Sequence, residues 1–99
     1  MELGKVVGTV VATRKDEGLQ GYKILVVSLL DADMGPSGSN VVAVDSVGAG
    51  VGEVVLVVRG SSARVTTGMS EKPVDASIVA ILDSVEIGGK RVFDKSCDL

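Results

Sequence analysis

The apolar residues of this chain fall into short runs between glycine-rich or polar breaks, and valine dominates them at about a fifth of the sequence. A β-branched side chain is stiff at χ1 and packs well on a pleated surface, so the runs read as strands. They predict strands over residues 5–13, 23–30, 40–45, 53–59 and 77–88. The breaks are Lys15-Asp16-Glu17-Gly18 and the stretches 33–39, 47–52 and 68–73. Gly88-Gly89 tolerates positive φ twice in succession and predicts a tight hairpin turn into a further strand over 90–93. Ser61 or Ser62 caps one short helical turn over Ala63-Arg64-Val65. Five to six strands in so short a chain predict an all-β fold, a small closed barrel, because closure removes exposed sheet edges.

Two of the runs are apolar on both faces. Side chains alternate across a strand, so a half-solvated antiparallel strand should alternate apolar with polar. In 23–30 one face carries Leu25, Val27 and Leu29, and the other Ile24, Val26 and Leu30. In 53–59 Val54, Leu56 and Val58 stand on one face, Val55 and Val57 on the other. One short helical turn cannot cover so many outward valines, and a monomer rarely exposes apolar patches above several hundred Å². The expectation is that neighbouring copies cover them; loops folded across the strands are the alternative.

Composition narrows the function. With 99 residues the chain is expected to be one domain spanning 1–99, with a thin core for its 45% hydrophobic content. A net charge of −3 disfavours nucleic acid and anionic membranes, which call for a basic face. Tyr22 and Phe93 are the only aromatic residues, too few for a base-stacking platform. Cys97 is the only cysteine, which fits a reducing cytoplasm, and neither a signal peptide nor a transmembrane run is evident.

Candidate chemistry is sparse. Histidine is absent, which removes Ser-His-Asp and Cys-His nucleophile pairs and imidazole metal ligands. Asp31-Ala32-Asp33 places two carboxylates in a polar loop, a pattern of solvated turns more than of metal sites. Gly48-Ala49-Gly50-Val51-Gly52-Glu53 suggests a phosphate loop but puts Glu53 where the third glycine belongs and leads into a strand. Tight turns, or close approach to another subunit, account for these glycines without a ligand. Arg64 is either a fork for Asp45, Asp75 or Asp83 or an exposed arginine; spacing leaves both open. No catalytic, cofactor-binding or metal-binding residue is assigned, and neither an enzyme nor a cofactor is expected.

Five segments in order resemble the vertex proteins of bacterial microcompartments, the EutN/CcmL family. They are Val44-Asp45-Ser46-Val47-Gly48-Ala49-Gly50-Val51-Gly52-Glu53, Arg59-Gly60-Ser61-Ser62-Ala63-Arg64, and the stretches 5–13, 19–25 and 73–83. The tail 86–99 is less characteristic. The resemblance implies an OB-like barrel subunit in a ring, usually a pentamer, that closes the vertices of a polyhedral shell built from hexameric shell proteins in the cytoplasm. It implies that Gly48, Ala49, Gly50 and Gly52 lie near neighbouring subunits and the ring axis. Gly60, Ser61, Ser62, Ala63, Arg64 and Asp75 would form the framework around subunit contacts. The competing reading is an OB-like nucleic-acid-binding module, which the acidity and lack of aromatics disfavour.

Overall fold

The computed structural model describes residues 1–12, 21–60 and 75–96. Within them lie seven strands: β1 (Glu2–Val10), β2 (Lys23–Leu30), β3 (Pro36–Asp45), β4 (Val54–Arg59), β5 (Ala76–Ile81), β6 (Ser84–Ile87) and β7 (Lys90–Asp94). The first five close into a barrel in the order β1-β2-β3-β5-β4, with β4 returning to β1, and β6 and β7 form a separate two-stranded sheet. All barrel pairings are antiparallel except the short β3–β5 seam, where Val44 pairs with Ser77 and Asp45 with Ile78.

The barrel is filled by one side of each strand. Val6, Leu25, Val27, Ala43, Ala49, Val55, Val57, Ala76 and Ile78 form the core. Gly4 also belongs to the interior, because a Cβ there would overlap Val27 Cγ1 and meet Val57 Cγ2 at 3.7 Å. The core is therefore built from small and branched aliphatics that fit a narrow barrel.

Three strand boundaries depart from the sequence pattern. β1 begins at Glu2 and not at residue 5, because Glu2–Lys5 pairs with Val57–Val54 of β4. It ends at Val10, and the expected continuation to residue 13 runs outside the described residues. β3 begins at Pro36, inside a stretch read as a break: a tight turn over Asp31–Gly35, closed by Asp31 N to Gly35 O at 2.9 Å, sets Pro36 opposite Leu30. Glycine, serine and proline signal a break locally, yet here pairing to β2 holds them extended. The expected strand 77–88 is two strands, since Leu82 N makes a 2.9 Å bond to Val54 O and the chain then leaves the barrel at exposed Asp83. The β6–β7 hairpin turns at Gly88-Gly89, whose φ values are 61° and 76°, as the two glycines predict. The expected helical turn over Ala63-Arg64-Val65 lies outside the described residues.

The two-faced strands resolve differently. On β4 the subunit supplies its own cover: Val54 and Val58 are buried, and Val58 packs with Val44, Tyr22 and Val79. For Val54 and Val58 the cover comes from within the subunit and not from a neighbouring copy, while Leu56 between them is half-buried. On β2 the outward Ile24, Val26 and Leu30 are half-buried, while Leu25, Val27 and Leu29 fill the interior.

Candidate functional site

The most organised polar site among the described residues is the loop joining β3 to β4, and charged side chains pin it at both ends. Asp45, the last residue of β3, is buried, and its Oδ1 accepts the Val47 amide at 3.0 Å. Lys23, opposite Asp45 across the β2–β3 ladder, donates to the Ala49 carbonyl at 2.8 Å and lies 3.6 Å from Asp45 Oδ2. Glu53 closes the far end, accepting the Gly50 amide on Oε1 at 2.7 Å, while its own amide donates to the Gly50 carbonyl at 3.2 Å. The loop is stitched to β1 as well: Gly52 N donates to Val6 O at 2.8 Å and Val6 N to Glu53 O at 3.0 Å.

A cation from the end of the chain completes the lock. Lys95 Nζ lies 3.0 Å from Glu53 Oε2, and its amide bonds to the Asp83 carbonyl at the base of the β6–β7 hairpin. The Lys95 ammonium and the Gly50 amide together hold the Glu53 carboxyl below its ordinary 4.5.

This geometry disfavours phosphate binding. Four amides of the loop, those of Val47, Gly50, Gly52 and Glu53, already have partners within the chain. The Glu53 carboxylate would also repel an anion. Asp31 and Asp33 shape a turn: Asp33 Oδ1 accepts the Gly35 amide at 2.8 Å, and Met34 N donates to Asp31 O at 2.9 Å. Among the described residues no three His, Cys, Asp or Glu gather in a metal-binding arrangement, and no helix is long and apolar enough to cross a membrane.

The loop residues named from the sequence are brought together but do not act alike. Gly48 and Gly52 are exposed with φ of 84° and 93°, a conformation glycine adopts without strain. Ala49 turns into the barrel core and is fully buried. Gly50 is half-buried between them. Gly60 and Asp75 bracket the segment between β4 and β5: the Gly60 amide donates to the Asp75 carbonyl at 2.7 Å. Ser61, Ser62, Ala63 and Arg64 lie outside the described residues, as does any pairing of Arg64.

Sequence reasoning missed Lys23 and Lys95 as loop anchors and took Glu53 for a misfit in a glycine motif. A carboxylate three residues beyond Gly50 was a usable signal, because that spacing lets it reach back to the turn amide. Nothing local marks Lys95, which is 42 residues from its partner.

A closed barrel of aliphatic side chains, with Lys23, Asp45, Glu53 and Lys95 fixing the loop between β3 and β4, defines a small β-barrel protein. The chain belongs to the EutN/CcmL family: the family model described as ethanolamine utilisation protein EutN/carboxysome matches residues 1–83. It is 55% identical over 86 residues, 87% of this chain and 97% of the relative, to the bacterial microcompartment shell vertex protein GrpN of Rhodospirillum rubrum. It is 48% identical over 95 residues, 96% of each chain, to the carboxysome shell vertex protein CcmL of Synechococcus elongatus. Among solved structures, CcmL of Gloeobacter violaceus superposes with a TM-score of 0.91 at 40% identity, covering 97% of this chain and 99% of that one. The Rhodospirillum rubrum GrpN structure, described as a pentameric microcompartment shell protein, gives a TM-score of 0.80 at 53% identity, covering 88% and 99%. These relatives are named as shell components, not enzymes, and give the nucleic-acid alternative no support.

Proposed function

We propose that this chain, as one domain over 1–99, is a structural protein of a bacterial microcompartment shell in the cytoplasm. Five copies form a ring that closes a vertex of the polyhedral shell. The observation that carries this reading is 55% identity across 97% of a relative named a shell vertex protein, whose solved structure is described as pentameric. Geometry supplies the reason for such a component, since a layer of sixfold tiles is flat and encloses a volume only where fivefold points interrupt it. The neighbours of the ring are then hexameric shell proteins. Within the ring, the exposed part of the loop at Gly48 and Gly52 lies toward neighbouring subunits and the axis, with Gly50 behind it and Ala49 serving as its anchor in the core. Gly60 and Asp75, with Ser61, Ser62, Ala63 and Arg64, form the framework beside the subunit contacts.

Native mass spectrometry at micromolar concentration tests the ring. Five-subunit particles are expected, and a folded monomer would overturn the reading. Co-expression with a hexameric shell protein tests the partner: closed polyhedra are expected with this chain and open sheets or tubes without it. Identical assemblies in both cases would remove the hexamer contact.

A further inference from the structure

The subunit's own packing accounts for Gly4, which has no room for a Cβ, and for Gly48 and Gly52, which have positive φ. Gly8 has neither reason. Its φ lies outside the left-handed region, and a Cβ there would find only Val26 Cβ, at an ordinary 3.9 Å. A glycine inside a strand weakens it and often marks a place where another chain approaches closely.

Gly8 stands in the middle of an apolar face that no other described residue covers. The register sets Gly8 beside Val26 and Val26 beside Val42, and in the next row Val10 beside Ile24. Val42 is 54% exposed, Val10 38% and Val7, in the β1 bulge, 50%. The Gly52–Val6 hydrogen bond brings Val51, 63% exposed, to the flank of the same strand. These four valines leave roughly 300 Å² of apolar surface in water, comparable to the largest patch of a typical monomer, which is often functional. It is a large share of the ~800 Å² that each partner contributes to a standard interface, and half-buried Ile24 and Val26 extend it. No charged side chain interrupts the two rows.

We infer that the outer face of β1, β2 and β3, centred on Gly8, receives the neighbouring copy in the ring; the inference rests on the ring reading above. A ring closes through head-to-tail contacts, so each copy needs two different surfaces, and this face is one of them. Ile87, the exposed apolar residue of the β6–β7 hairpin, lies on a separate sheet outside this face.

Native mass spectrometry over a dilution series of the full chain, its Gly8→Val, Val42→Asp and Ile87→Asp variants, tests the assignment. The wild type and Ile87→Asp are expected to form rings. Gly8→Val and Val42→Asp should shift ring dissociation to at least tenfold higher concentration while keeping the wild-type far-ultraviolet circular dichroism. If both variants assemble like the wild type, the face is wrongly assigned and the ring stands; if the wild type is monomeric, the ring reading itself fails. Should the variants not fold, hydroxyl-radical footprinting of the wild-type ring decides. Val42 and Val7 should oxidise at least fivefold more slowly than Ile87, and rates in keeping with their similar exposure in the single subunit would overturn the inference.

Discussion

Lys23 reaches from the first residue of β2 to the carbonyl of Ala49, 26 residues away, and holds it at 2.8 Å. The same ammonium is the ionic partner of the buried Asp45 carboxylate, so one side chain secures the loop and offsets the desolvation of its acidic neighbour.

Lys23→Met is therefore expected to destabilise the subunit by about 1–3 kcal/mol, since a buried acceptor and a buried carboxylate lose their partner together. Urea denaturation of Lys23→Met, Asp45→Asn and the double variant measures the coupling. Additive single effects would mean that Lys23 acts on Ala49 alone.

Glu53 gives a pH dependence of definite sign. Its folded-state pKa is depressed, chiefly by Lys95 and next by the Gly50 amide, so the stability it contributes is complete above its ordinary 4.5 and is lost as pH falls through the lower folded value. Asp94, depressed by the Ser96 hydroxyl and then by Arg91, adds loss in the same direction below 3.8. Both groups are solvated, so the effect is small. Melting temperatures of wild type and Glu53→Gln between pH 6 and 3 should converge toward the acid end. Parallel curves would show that Glu53 is not linked to folding.

Gly4 and Gly8 lie on one strand but should respond oppositely to the same change. Gly4→Ala forces a methyl against Val27 Cγ1 and is expected to cost about 1–3 kcal/mol. Gly8→Ala meets no such obstacle and removes the flexibility of a strand glycine, adding up to about 1 kcal/mol to subunit stability. Denaturation under conditions where the chain is dispersed to single subunits reads both, and a loss at Gly8 as large as at Gly4 would contradict the packing.

Ile78, at the parallel seam with β3, is with Leu25 among the largest fully buried side chains, so truncation there should be costly. Ile78→Ala is expected to lose about 2–5 kcal/mol, as deletion of buried aliphatic groups leaves a cavity. A loss under 1 kcal/mol would mean the barrel collapses around the gap.

The chain of valine-rich runs and glycine breaks determined the all-β class, the strands around Leu25 and Val57 and the hairpin at Gly88-Gly89, because β-branching, two-residue periodicity and positive φ are local properties. It also pointed to the loop from Gly48 to Glu53 as the place of interest. It did not determine that Pro36–Ser39 is strand, that Asp83 ends the barrel, or that Ala49 is core while Gly48 is surface, for each depends on what lies opposite. The anchors Lys23 and Lys95, and the contrast between Gly4 and Gly8, were likewise decided by tertiary structure. They are contacts between residues distant in sequence, and only closure of the barrel sets which strands face one another.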